Sequence, residues 1–411
     1  MGAYLPLLGV LFALLVGLIV GKAWERYKLR DGRWVDRRRL RETPHYMLGL
    51  NFLVDNQVDQ AIEELTQATS MSDTDALEIQ MILGNLYRAK GQVGRAITLH
   101  QSLLQRPDLT RLEQAYVQLC LALDFRNGGF VDRALEAFQE VVRLDPRNRY
   151  ALVNLQKLHE EQRQWTDALR VRGEIAKLGG ARRTEDRQIL AFLTNEIGNA
   201  RARNGEADAA GRTFVEAIDI DPRTAPAHLN LGDVRERQGN IAAAVEAWEA
   251  LAREAPDRAH LAFARLERAY ATLGAPRRFA ELCQRLIAQN PQDWRARLAL
   301  SKHLAAQSRH REALEHLLDA LPLNPHALAI HQQIWQTLSA IGLDPSLVRR
   351  YMALTSDAVF YLDPHVCTRC RYRSTELLWQ CPQCHEWNTF VEERLSPAKD
   401  SPAAELEPTE G

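Results

Sequence analysis

The chain reads as an all-α solenoid of two-helix repeats, preceded by a transmembrane helix and closed by a small metal knuckle. Three observations predict this: an uncharged apolar run from Ala3 to Val20, a spacing of 34 or 35 residues through the middle, and four cysteines, Cys367, Cys370, Cys381 and Cys384, near the end of the 411 residues. Charge is balanced, 52 basic against 53 acidic residues, so the composition does not point to nucleic acid as a partner.

The first element, residues 1–21, is a membrane span. Eighteen apolar residues at the helical rise give roughly 27 Å, close to the thickness of a hydrocarbon core. Its charges follow the apolar run instead of preceding it, which is the reverse of a cleavable signal peptide. The next stretch, 22–41, holds nine basic residues against Glu25, Asp31 and Asp36. The positive-inside rule keeps that end in the cytoplasm, and a single span leaves the rest of the chain there too. Gly17 and Gly21 form one GxxxG pair, a weak signal for a homodimer.

Residues 42–325 carry the repeat. Gly49 to Gly84 is one period, Gly198 to Gly232 another, and Pro222, Pro256, Pro291 and Pro325 step through the second half at the same interval. This is the tetratricopeptide period, two antiparallel helices per unit. About eight units are expected, beginning near Glu42, Leu77, Ala115, Arg149, Ala191, Ala225, His260 and Trp294. Gly84 and Gly232 are expected to let the first helix approach Ala96 and Ala244 of the second, and Phe138, Phe214 and Trp248 to fill the space between neighbouring units. Gly91, Gly205, Gly239 and Gly274 stand where a chain leaving the first helix needs positive φ. The unit near Arg149 is degenerate, and KLGGARRTED after it reads as an elongated connection or bend.

Such an array buries its core between units and curves, leaving a concave face that binds protein segments. By register that face includes Asn85, Arg88, Asn199, Arg203, Asp233 and Arg237, although any helix needs a polar face. Residues 326–362 keep helical spacing without the signature and are expected to be capping helices packed toward the knuckle, while 393–411 are polar, contain proline and are expected to be disordered.

The knuckle spans 363–392, with the pattern CxxC and CPxC. Two such pairs gather four thiolates around one tetrahedral ion, zinc or iron, in a closed shell without an open position for substrate. A domain this small cannot fold on buried apolar surface alone, so the ion's first role is stability. Tyr372, Trp379 and Trp387, among Arg369, Arg371 and Arg373, offer a surface that could dock on a protein or a nucleic acid, although aromatics in so small a domain are more often its core; Cys120 and Cys283 are expected as buried apolar residues inside helices. There is no GxxxxGK[ST], GxSxG or HExxH, and anchor, repeats and knuckle use up nearly the whole length, which argues against an enzyme.

The order of anchor, basic stretch, YMLGLNFLVDNQVDQAIEEL, LGNLYRAKGQVGRAITLHQSLL and CTRCRYRSTELLWQCPQCHEWNTF resembles the lipopolysaccharide assembly protein B (LapB) family over almost the full length. The resemblance implies a rubredoxin-like tail whose ligands are Cys367, Cys370, Cys381 and Cys384, carried on a cytoplasmic repeat array anchored in the bacterial inner membrane. It implies an adaptor, not an enzyme, that works with the membrane protease FtsH to promote degradation of the lipid A deacetylase and scaffolds other lipopolysaccharide assembly proteins. Three alternatives are a rubredoxin-like redox protein, a general repeat scaffold or chaperone at the membrane, and a nucleic-acid-binding zinc ribbon. One departure stands out: the family pattern has glycine after the second cysteine of each pair, and here Arg371 and His385 take those places. A left-handed backbone there costs roughly 1 kcal/mol or more each.

Overall fold

The computed structural model describes residues 44–70, 77–179, 183–324, 327–342 and 365–393. The predicted span, the basic stretch, residues 343–364 and the tail from 394 lie outside the described residues. No helix among the described residues is long and apolar enough to cross a membrane. The chain divides into two compact units, 1–158 and 159–411.

In the first unit, α1 (Pro44–Val54), α3 (Leu77–Ala89) and α5 (Arg111–Asn127) each pack against the helix that follows: α2 (Val58–Ser70), α4 (Val93–Leu104) and α6 (Val131–Leu144). The crossing point within each pair is Gly49, Gly84 or Ala122, and sixteen residues on a side chain fills the gap: Leu65, His100 and Phe138, all fully buried. A Cβ on Gly84 would lie 2.4 Å from His100 Nε2. His100 is held by Asp124, whose carboxylate also accepts from Arg88 at 2.8 Å. Thr110 closes the start of α5 in a capping box with Glu113, which satisfies two helix-end amides at once. Helix α7 (Arg149–Glu161) follows, and Arg126 of α5 donates to its Asn154.

The second unit continues with α8 (Trp165–Lys177), α9 (Arg183–Arg203), α10 (Ala207–Ile220), α11 (Ala225–Arg237) and α12 (Ile241–Glu254). A 3₁₀ segment (Pro256–Ala262) leads into α13 (Phe263–Thr272), followed by α14 (Arg277–Gln289), α15 (Trp294–Ala306), α16 (His310–Ala320) and α17 (Leu328–Ile341). Gly198 meets Phe214 and Gly232 meets Trp248, whose indole N–H donates to the Leu229 carbonyl at 3.3 Å. Phe214 and Trp248 thus sit inside their own helix pairs and also join the next unit, Phe214 clustering with Leu231 and Val234 and Trp248 with Leu266 and Tyr270, while the side chains nearest Gly84 and Gly232 are His100 and Trp248 instead of Ala96 and Ala244. That is a correction of register by four residues, one helical turn along the second helix.

Gly91, Gly205, Gly239 and Gly274 all have positive φ, 69° to 84°, as the turn demands. At the equivalent turns Asn56, Arg163 and Ser308 adopt φ of 56° to 63° without glycine. The residues RTED, expected in an elongated connection, instead form the first turn of α9. Its glutamate and aspartate suit a helix N-terminus, where the exposed amides favour negative charge. Cys120 and Cys283 are buried, and burial pushes their thiols up to about 11 and about 12.

Candidate metal centre and the surface beneath it

The tail is not helical. It forms a three-stranded antiparallel sheet of β1 (His365–Cys367), β2 (Arg373–Ser374) and β3 (Phe390–Glu392), in the order β2-β1-β3, with an isolated bridge between Gln380 and Trp387. The all-α expectation fails here for a physical reason. Two tight thiolate turns need short extended arms to hold them back to back, and the cysteine spacing provides those arms.

The two turns are the same structure built twice. In the first, the Arg371 amide donates to the Cys367 carbonyl at 3.0 Å and the Cys367 amide to the Tyr372 carbonyl at 2.9 Å. In the second, His385 donates to Cys381 at 2.9 Å and Cys381 to Glu386 at 2.9 Å. Both residues after the closing cysteine are left-handed, Arg371 at φ 63° and His385 at φ 56°. The strain anticipated from the missing glycines is therefore present.

All four sulfurs lie within 4.8 Å of one another, and none is in a disulfide. Cys367 and Cys384 are 3.7 Å apart and Cys370 and Cys381 3.5 Å. A tetrahedral ion with metal–sulfur bonds near 2.3 Å needs sulfur–sulfur edges of about 3.8 Å, so the cage fits such an ion. Burial pushes the Cys367 thiol up, but the Thr389 hydroxyl at 3.2 Å and the backbone amides of Cys370 and Arg369 outweigh it and bring it to about 6. Burial and the neighbouring cysteines push Cys384 the other way, to about 12. Cys367 thus favours the thiolate and Cys384 the thiol, and a bound divalent cation would favour the thiolate at both.

Cys367, Cys381 and Phe390 form the ribbon's core, joined by Leu377 and Leu378. Trp379 and Trp387 do not: of the two roles the sequence left open, core or docking, they take the second and pack on the helices. Trp387 stacks on Phe192 of α9 with ring centroids 5.5 Å apart and meets Trp165 of α8 edge-on at 6.4 Å, and Trp379 lies 6.1 Å from Phe192. Glu160, in the last turn of α7, accepts from Gln380 at 2.6 Å and from the Trp387 indole at 3.3 Å. At the far edge of the ribbon Glu392 pairs with Arg295 of α15. Burial pushes the Glu392 carboxyl up, and Arg295 more than offsets this, so the group sits below the usual carboxylate range. His260 beside it is pushed down to about 4 by burial and by the Arg295 cation. Among the described residues the ribbon's partners thus include α7 to α9, α15 and the 3₁₀ segment; α17, the described part of the expected capping segment, packs on α15 and α16.

A cavity of about 490 Å³ opens beside this junction, bordered by Arg163, Glu196, Arg203, Cys381 and His385. Burial raises the Glu196 carboxyl, and the amides of Asn199 and Asn195 donate to it at 3.0 and 3.1 Å. Of the six residues predicted for the concave face, Arg203 lines this cavity and Asn199 supports Glu196. Asn85 accepts from Arg88, and Arg88 ties α3 to α5 through Asp124. Asp233 accepts a two-toothed bond from Arg265 of the next unit, at 2.6 and 2.9 Å, and exposed Arg237 donates to the Asp233 carbonyl at 3.1 Å. Two of the six, Arg88 and Asp233, thus hold helices together. Phe192, Glu160, Trp165 and Arg295, which carry the ribbon, were missed by sequence reasoning. The one available signal was an aromatic within a first helix, six residues before the crossing point.

Comparison with known proteins gives the same two parts. The tetratricopeptide repeat families match residues 46–108, 120–171, 195–259 and 277–356, and the rubredoxin metal binding domain found in LapB matches 365–392. Lipopolysaccharide assembly protein B of Escherichia coli K12 is 25% identical over 347 residues, 84% of this chain and 88% of that protein. Its Haemophilus influenzae counterpart is 26% identical over 357 residues, with the same shares of both chains. The chain is thus similar to the LapB proteins along most of its length. Among solved structures, a tetratricopeptide repeat protein from Parabacteroides merdae is 16% identical, covers 72% of this chain and 97% of its own, and has a TM-score of 0.33. The Naa15/Naa10 complex bound to HypK is also 16% identical, with a TM-score of 0.40 over 77% of this chain and 47% of its own.

Proposed function

We propose that this chain is a tethered adaptor in lipopolysaccharide assembly, which holds the lipid A deacetylase for the protease FtsH and so matches lipopolysaccharide supply to demand. The observation that carries this reading is the similarity, over 84% of this chain and 88% of the relative, to a protein named for lipopolysaccharide assembly, together with the LapB-type ribbon and tetratricopeptide repeats of this chain. A solenoid offers extended surface to protein segments, and a ribbon with a closed thiolate shell offers no open metal position to a substrate. The reading is therefore an adaptor without catalytic chemistry of its own. Its anchor is the apolar run 3–20, and its bulk lies on the cytoplasmic side of the inner membrane. Confinement to one bilayer raises the concentration of adaptor, protease and substrate for one another without any new contact.

Cys367, Cys370, Cys381 and Cys384 hold one ion, zinc or iron, whose contribution is to fold the ribbon. Metal analysis of purified protein decides between them, a red one-electron-reducible product marking iron and a colourless one zinc. The function is tested by deleting residues 1–21 in cells that lack their own LapB and measuring the deacetylase half-life. The truncated chain is expected to be folded and soluble but to leave the deacetylase long-lived; a half-life as short as with the intact chain would overturn the tethered reading.

A further inference from the structure

The ribbon lands on the second unit at a repeated position. Phe192, stacked under Trp379 and Trp387, stands six residues before the crossing point Gly198, and Arg295, paired with Glu392, stands six before Ser301. The same register in the first unit gives Tyr116, six before Ala122, and Tyr150, six before Gln156. These two rings belong to α5 and α7, which Arg126 and Asn154 hold side by side. They are 51% and 57% exposed, and Leu112, one turn before Tyr116, is 74% exposed. Arg147, three residues before Tyr150, is exposed, and its guanidinium makes no hydrogen bond or ion pair among the described residues.

In the second unit this row takes two kinds of side chain from the ribbon, indole rings on an aromatic and a carboxylate on an arginine. The first-unit row presents matching chemistry, two phenol rings and an arginine, with nothing described upon it. We infer that Tyr116, Tyr150 and Arg147 form a docking row for a segment of a partner protein that carries aromatic side chains next to aspartate or glutamate. Exposed tyrosines suit this use, because a rigid ring contributes large contact area at small entropic cost and arginine anchors the acidic end. The inference deepens the adaptor reading by naming a surface and the chemistry of what it holds.

The test places a photocrosslinking benzoylphenylalanine at position 116 of the full-length chain in intact cells and maps the captured segment by mass spectrometry. The expected capture is a segment of another protein with Trp, Phe or Tyr close to Asp or Glu. A synthetic copy of that segment should bind the purified full-length chain, and Tyr150→Ala with Arg147→Glu should weaken binding about 30-fold, the loss typical of removing an interface anchor. Tyr150→Phe should bind as wild type, which separates lost stacking from lost folding. Capture confined to this chain itself, capture of segments without aromatics, equal capture from a control site at Val215, or binding indifferent to Tyr150→Ala would each overturn the inference. None of these readouts depends on deacetylase turnover, so failure here and failure of the tethered-adaptor reading remain distinct.

Discussion

Replacing Trp387 with alanine separates two roles that its sequence position leaves entangled. If the indole were ribbon core, its loss would loosen the metal cage; as a docking side chain, its loss should free the helices and leave the cage intact. Trp387 is only 9% exposed, and its contacts are Phe192, Trp165 and the Glu160 carboxylate. Burying an indole removes roughly 200 Å² of surface from water, worth about 5 kcal/mol as an upper bound. Tryptophan-to-alanine changes in cores cost about 3–5 kcal/mol. Because Trp379, Gln380 and the Glu392–Arg295 pair remain, we take about 3 kcal/mol as the loss of docking free energy, on the order of a hundredfold in the docking equilibrium. Hydrogen exchange of peptides containing Trp165 and Phe192 should therefore speed up markedly, while the rate at which a chelator strips the metal changes little. Trp387→Phe should fall between the two proteins. Faster metal loss with unchanged exchange in α8 and α9 would refute the assignment.

Four further outcomes are expected. A Cβ on Gly232 would lie 2.1 Å from Trp248 Nε1, so Gly232→Ala should destabilise by about 2 kcal/mol despite the better helix former; Gly173→Ala, with nothing within 4 Å, should gain up to about 1 kcal/mol, and thermal melts of both decide. Arg371→Gly should relieve left-handed strain for a net gain of about 0.5 kcal/mol, since the exposed pair with Glu393 that it loses is worth little; a fall in ribbon stability on denaturant titration would count against that strain. His260 has its pKa lowered to about 4 in the folded chain, so protonation favours unfolding: stability is complete above about pH 6.5 and declines as pH falls toward 4, by up to about 3 kcal/mol. Glu392, also lowered, adds a loss in the same direction below the ordinary carboxylate range, and His260→Gln should flatten only the His260 part; superimposable pH profiles would exclude it. Stripping the metal should unfold the ribbon, whose buried interior is little more than Val366, Cys367, Cys381 and Phe390, and expose Phe192 to a hydrophobic dye; a chelator-treated protein with native near-ultraviolet dichroism would contradict this.

The extent to which the molecule was legible in advance follows from which interactions are local. The repeat showed itself because every unit must solve the same crossing problem, so small residues and their bulky partners recur at one interval, as Gly198 with Phe214 and Gly232 with Trp248 show. The four cysteines were legible because a thiolate cage needs fixed spacing within each turn. The left-handed turns at Arg371 and His385 could be anticipated for the same reason, since a backbone conformation is set within a few residues. The predicted concave residues were harder. Arg88 and Asp233 do face neighbouring helices, but a register cannot say whether an arginine will meet Asp124 or water.

By itself, then, the order of residues determined the helical period, the positions that need glycine or a substitute, and the donor set of a metal site, because each depends on spacing along the chain. Where the ribbon sits was decided only by the tertiary structure. Trp387 and Phe192 are 195 positions apart in the sequence, and Gln380 and Glu160 are 220 apart. No local periodicity links such pairs, and an indole that looks like the core of a small domain becomes a docking side chain only when a groove of matching shape is brought against it.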